Sequence, residues 1–247
     1  MAQDPSNARF QRDVYWAYIR LGDIKVSLKR YQDGIADYNT ALAHLNRMSV
    51  SDERNRTLQR ERATLHRRLG FVEVELGEHE RAVQSLMRGH AEFEMLVRLD
   101  PKNGVWRCDL ARSHDEVGIA RQRQRQPQDA LVQFQLAADA FSALLANNSG
   151  HVVWLQNKSV ALEHSGETLA GLGKQTEAIE KFRESRSLRA QTLADDPTDP
   201  RLQRMLRDVE GKIAGVTGDA KGAGATAARG ATRMQDCGIP LQSVIWR

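Results

Sequence analysis

The chain has 247 residues, is 40% hydrophobic, 28% charged and 6% aromatic, and carries a formal net charge of +4. So few aromatics fit a soluble helical array with two-layer burial better than a thick globular core. Of the positive surplus, +2 belongs to the segment after Gly215, where Lys221, Arg229, Arg233 and Arg247 stand against Asp219 and Asp236. The remainder is near balance, which argues against a nucleic-acid partner. No apolar run approaches the ~20 residues that span a bilayer, and the opening MAQDPSNARFQRD is not a basic-then-apolar leader. No membrane partner is therefore expected, and the cytoplasm is the expected compartment. The two cysteines, Cys108 and Cys237, show neither pairing nor metal-ligand spacing, which favours a reducing environment.

The chain repeats itself. Asp4, Asp52, Asp100, Asn148 and Asp196 are 48 residues apart, and so are Phe10, Leu58, Trp106, Trp154 and Leu202. Gly22, Gly70, Gly118 and Gly166 keep the same step, each followed twelve positions later by Gly34, Ala82, Ala130 or Ala178. Unrelated helices would not hold one register over four units, so the chain reads as a stack of helical hairpins, here called helix A and helix B of each repeat.

The first repeat covers about residues 4–51, with helix A running to about Leu28 and helix B from Gln32 to about Met48. Ile35, Tyr38, Leu42 and Leu45 fall at spacings of three and four and place one apolar stripe against the partner helix. Asn7, Asn55, Asn103 and Asp199 stand where a helix A begins and can accept from its free first-turn amides, with His151 the weaker cap of the set. In the second repeat, about 52–99, the break between helices is LGEHE, where Gly77 can take the left-handed conformation that ends a helix. Gly173 does the same in the fourth repeat, about 148–194. Lys29 and Arg125 occupy that position in the first and third. Pro127 supplies the break in the third, about 100–147, and no residue of the first accounts for its break. A helix costs roughly 1 kcal/mol for an internal glycine relative to alanine, so four at one register predict a close helix approach, with the small residue twelve positions on as the opposite side. A cap over 200–214 follows, and then a Gly/Ala-rich segment, 215–247, expected to be disordered. Its closing IPLQSVIWR is apolar enough to dock on something.

Leu21–Gly22, Leu69–Gly70 and the softened Val117–Gly118 in helix A, the small residue twelve on, then Tyr38, Leu86, Phe134 and Phe182, then Ala41, Gly89, Ala137 and Ser185 together make a pattern that resembles the tetratricopeptide repeat family. The resemblance covers about residues 4–214, although the usual unit of that family is ~34 residues and these are longer. It implies an all-α fold, a right-handed alpha-alpha superhelix of four helical hairpins plus a C-terminal capping helix over 1–214. The long form resembles bacterial arrays attached to effector or signalling domains, which suggests a piece or relative of a larger protein. It also implies a protein or peptide partner on the concave face lined by helix A, with Arg67, Arg68, Phe71, Arg112, Ile119 and Arg123 as candidate contacts and an acidic peptide as their ligand. The family's clamp for chaperone C-terminal tails needs Lys and Asn around the first Gly. Ile19 and Asp23 stand there, and Glu116 replaces a basic position beside Arg112, so that ligand is not expected.

Catalysis is not expected either. SHDEVG at Ser113–Gly118 holds Ser, His, Asp and Glu, but contiguous residues on a helix diverge, and no phosphate loop is present. Cofactors and metals are not expected: His66 and His114 share a register but lack further ligands, and a half-buried packing role is favoured. Cys108 shares its register with Arg12, Arg60, Gln156 and Arg204, which predicts a solvated, inert thiol. Trp106 and Trp154 correspond to Phe10, Leu58 and Leu202, so packing between repeats is favoured over a peptide ladder. Arg121 and Arg123 near a helix C-terminus complement its dipole. The leading expectation is a non-catalytic interaction scaffold. A regulatory or self-associating segment of a signalling protein is second. A nucleic-acid-binding repeat is third, and Glu163 and Glu167 in the fourth repeat count against a continuous basic face.

Overall fold

The computed structural model describes residues 8–51, 54–218 and 234–237. Among the described residues the structure is all-α, with nine helices and no strand. The chain divides after Pro101 into two compact units. The first holds α1 (Ala8–Ser27), α2 (Tyr31–Ser51), α3 (Arg56–Glu75) and α4 (His79–Leu99). The second holds α5 (Gly104–Arg123), α6 (Pro127–Leu145), α7 (Val152–Gly171), α8 (Gln175–Asp195) and α9 (Pro200–Thr217). Successive helices pair as hairpins, α1 with α2, α3 with α4, α5 with α6 and α7 with α8. Within each unit neighbouring hairpins stack, α2 on α3 in the first and α6 on α7 in the second, and α9 lies against α8 as the terminal cap.

The helix starts obey the expected caps. The Asn55 side chain accepts from Leu58 N at 3.2 Å and that of Asn103 from Trp106 N at 3.1 Å. Asp199 accepts from Arg201 N at 2.7 Å, and His151 Nδ1 from Trp154 N at a longer 3.4 Å. Asn7 lies outside the described residues. The hairpin breaks are one motif used four times. The Lys29, Gly77, Arg125 and Gly173 amides each donate back three residues, and the next amide donates back five, closing the last turn of helix A. That turn needs one residue with positive φ. Gly77 and Gly173 sit at +78° and +77°, and Lys29 and Arg125 at +60° and +61°. The unexplained first break is therefore made by Lys29 itself, against its own preference. A side chain in the left-handed region costs roughly 1–2 kcal/mol. We expect Lys29→Gly and Arg125→Gly each to raise stability by about 1 kcal/mol once glycine's greater unfolded-state freedom is subtracted, measured by urea titration.

The mid-helix glycines seat a ring. A Cβ on Gly22 would lie 2.5 Å from Tyr38, on Gly118 2.5 Å from Phe134 and on Gly166 2.6 Å from Phe182, with Leu86 filling the same role 2.5 Å from Gly70. The sequence reading set the small residue twelve positions on opposite each glycine. The structure keeps that contact, with Gly34 against the Gly22 carbonyl and Gly70 against the Ala82 carbonyl, and adds the large residue sixteen on as the nearer wall.

Each unit has its own core. In the first, Tyr15, Ile19, Tyr38, Leu45, Leu65 and Leu69 are buried together. The Tyr38 hydroxyl donates to Asp23 at 2.6 Å, and the Arg68 guanidinium holds the same carboxylate oxygen. Burial first, and then the Asp23 carboxylate, push the Tyr38 phenol well above its usual range, so it stays a donor. In the second, Leu169, Ala178, Phe182 and Val209 form a cluster that Leu206, Ile213 and Val216 of α9 complete. A buried ionic network fastens α9 further. Glu163 of α7, wholly buried, holds Arg189 of α8, accepts from Ser185 Oγ at 2.8 Å and takes Lys212 Nζ of α9 at 2.7 Å. Arg189 also donates to the Met205 carbonyl of α9. Glu163 is thus a core anion. The sequence reading that counted it as a charge on an exposed face is corrected.

Candidate functional site

The second unit presents a surface built from three helices of the same class, α5, α7 and α9. Four residues from the far end of the chain, Met234–Cys237, lie on it. Asn157 of α7, with no exposed surface, reads the backbone of this segment at both ends of its amide: Nδ2 donates to the Gln235 carbonyl at 3.0 Å, and Oδ1 accepts from the Gln235 amide at 2.6 Å. A residue in extended conformation offers its own N–H and C=O side by side, and a side-chain carboxamide offers their complements. No side chain of the ligand enters that pairing.

Four further contacts surround it. Met234 packs on two buried clusters, Cys108, Ala111, Phe141 and Leu144 on one side and Ala137, Ala138, Ala161 and Leu162 on the other. The Gln235 side chain lies against Gln156, and turned so that its oxygen faces Arg201 it accepts from that guanidinium at 2.7 and 2.9 Å. Arg112 of α5, only 5% exposed, donates to Asp236 at 2.6 Å and also faces Glu116 at 3.8 Å. Cys237 is disulfide-bonded to Cys108, with the Cα atoms 5.6 Å apart across 129 residues of chain.

That bond corrects the sequence reading of the cysteines. Cys108 is neither solvated nor unpaired: it is fully buried beneath the segment and joined to it. The inference to a reducing environment loses its ground with it. Residues 219–233 and 238–247 of the expected disordered tail, including the closing IPLQSVIWR, lie outside the described residues.

The six candidate contacts divide between the units. Arg67, Arg68 and Phe71 are on α3. Phe71 packs against the core of the first unit, and Arg68 is engaged by Asp23. Arg112, Ile119 and Arg123 are on α5. Arg112 touches the bound segment, Ile119 is half-buried and Arg123 is exposed at the end of the helix. Asn157 escaped the sequence reading. Its register neighbours are Asp13, Glu61, Asp109 and Met205, so nothing in the repeat pattern marks it as a group that must donate as well as accept. Between α7 and α5 His164 Nδ1 also pairs with Asp115 at 2.8 Å, both buried. Burial works against the imidazolium, but Asp115 and then Glu167 and Glu163 outweigh it and hold its pKa above the usual value. His66, in the first unit, is driven the other way, to about 4, by burial and then by Arg88 and Arg62. His114 Nδ1 faces Gln133 Oε1 at 2.9 Å. Trp154 packs against the cluster holding Cys108 and Phe141 and stacks on His151 at 3.9 Å. Among the described residues no group of three His, Cys, Asp or Glu side chains is arranged to hold a metal. No described helix is long and apolar enough to cross a membrane.

No family model and no curated protein sequence matches the chain. Solved structures do. The Rap conjugation gene regulator of plasmid pLS20, solved in complex with the Phr* peptide, is 16% identical with a TM-score of 0.53 over 87% of this chain. This chain spans 59% of that regulator's length. The apo form of RapI is 14% identical with a TM-score of 0.49, covering 83% of this chain and 81% of its own. MamA is 15% identical with a TM-score of 0.41, covering 85% and 97%. The likeness to the Rap regulator shows the fold, a helical-repeat array.

Proposed function

We propose that this chain is a diverged tetratricopeptide-type array, a non-catalytic scaffold that binds an extended peptide on the α5–α7–α9 face of its second unit. One observation carries the reading: a buried carboxamide, Asn157, pairs with both backbone groups of one residue, Gln235, in a segment lying across helices of successive repeats. Arg112 beside it selects an acidic residue one position on, which accords with the acidic ligand that the arginines suggest. The Rap regulator was solved with a peptide, and the shared fold makes the same class of ligand reasonable here. A cytoplasmic location would make the Cys108–Cys237 disulfide transient, catalytic or redox-sensing, whereas an oxidising compartment would make it a permanent staple. Arg67, Arg68 and Phe71 then belong to the first unit's packing and surface, and the binding contacts are Asn157, Arg112, Gln156 and Arg201.

The test is a titration of reduced full-length protein with a labelled peptide of residues 231–240 carrying serine for Cys237. Saturable binding is expected, and Asn157→Ala should weaken it about tenfold or more, since two hydrogen bonds at about 1 kcal/mol each are lost. Absence of saturation at millimolar peptide would remove the site. Self-association is the second reading, supported by the same segment: a neighbouring copy's residues 234–237 would fit the face equally well. Light scattering across a concentration series separates the two, since only exchange of the segment between copies raises the mass.

A further inference from the structure

We propose that Met234–Cys237 is a disulfide-latched occupant of the peptide site, released by a dithiol reductant so that a partner peptide with an apolar residue two positions before an acidic one can take its place. The inference rests on reading the α5–α7–α9 face as a peptide site. Three observations support it. The segment engages polar groups from all three helices: Asn157 takes its backbone, Arg112 its carboxylate and Arg201 its glutamine. Its apolar residue fills the hydrophobic part of the same face, where Met234 sits between the two clusters. The residue next to the acid is the one covalently tied, to a cysteine under the site itself.

The latch matters because the non-covalent grip is small. Two neutral hydrogen bonds from Asn157, the Arg201 contact, the half-buried Met234 and a half-exposed ion pair, with Asp236 46% exposed, are largely offset by the ordering of four residues. Held in the same chain, such contacts act at an effective concentration of roughly millimolar. Contacts this weak at that concentration leave the site partly open. The disulfide closes it fully.

Release is thiol–disulfide exchange. A thiolate of the dithiol attacks Sγ of the half-buried Cys237, forming a mixed disulfide and freeing Cys108 as a thiolate that takes up a proton. The second thiol of the reductant then displaces Cys237. Two electrons and two protons pass to the protein, which gains two thiols, and the reductant leaves as its own disulfide.

The experiment uses full-length protein and the labelled 231–240 peptide with serine for Cys237. Intact mass under non-reducing conditions first establishes the oxidised monomer, lighter by two hydrogens than the reduced one. Binding to oxidised protein is expected to be at least about tenfold weaker than to the same protein treated with dithiothreitol, and Cys237→Ser should bind at the reduced level with or without reductant. Asn157→Ala combined with Cys237→Ser should lose that binding. Equal binding before and after reduction overturns the latch while leaving the peptide site standing. No binding in any state, Cys237→Ser included, overturns the latch and the peptide site together. A disulfide found only between two copies overturns the intramolecular latch. A peptide with lysine in place of Asp236 should bind the Cys237→Ser protein more weakly, and equal binding would remove the acidic preference from the partner's description.

Discussion

Glu163→Ala is expected to destabilise the second unit by about 3–5 kcal/mol, the range for breaking a buried ion pair from one side. Arg189, at 2% exposure, would keep its charge while losing the carboxylate that neutralises it, and the Ser185 hydroxyl would lose its acceptor. Lys212 is less affected, because Glu167 holds it at 2.6 Å and its side chain is 26% exposed. The damage should concentrate where Arg189 and Glu163 tie α8 and α7 to α9, so amide exchange of α9 should accelerate before that of α5. Removing both buried charges is a different matter. Glu163→Leu with Arg189→Met leaves no orphaned ion and should recover most of the loss, since a well-packed apolar pair often equals or exceeds the buried ion pair it replaces. Urea midpoints of the two single variants and the double variant decide it: a double variant as unstable as the sum of the singles would mean that the network acts through packing shape and not through charge.

Periodicity made the helices legible because burial imposes it. Each helix A must present the same faces to its neighbours in the stack, so Leu58, Trp106, Trp154 and Leu202 return at one interval, and the caps Asn55, Asn103 and Asp199 return with them. What the interval hides is any residue that departs from its register for a reason found elsewhere in space. Lys29 and Arg125 hold a glycine conformation because the repeat geometry demands it, and nothing local in their sequence says so. Glu163 looked like a surface charge because its partners come from α8 and α9, up to 49 positions away. Cys108 took the character of its arginine neighbours in register, and its true partner lies 129 residues on, beyond every repeat. The candidate site was half legible for the same reason. Arg112 was found from the helix A pattern. Asn157 was not, because its role exists only when the segment at Gln235 is laid against it.

The glycine–ring contacts predict a reversal of sign. Gly118→Ala in the intact chain adds a methyl 2.5 Å from a Phe134 ring that is fully buried, so either the ring leaves its rotamer or α6 moves away from α5. Such overpacking costs about 1–3 kcal/mol, more than the roughly 1 kcal/mol that alanine gains over glycine inside a helix. The net change should be destabilising. Phe134→Ala alone should cost about 3–5 kcal/mol through lost burial and the cavity it leaves. In that background the obstruction is gone, and Gly118→Ala has only its helix preference and a little filled space to contribute, so the same substitution should now stabilise by about 1 kcal/mol. The coupling energy from the four-member cycle is therefore large and of known sign. Had the small residue twelve positions on been the nearer wall, deleting Phe134 would leave the cost of Gly118→Ala unchanged, and the cycle would close additively. The measurement thus asks which residue the repeat glycine was kept small for, and Gly166 with Phe182 should answer as Gly118 does, because the two sites share one geometry to within two tenths of an ångström.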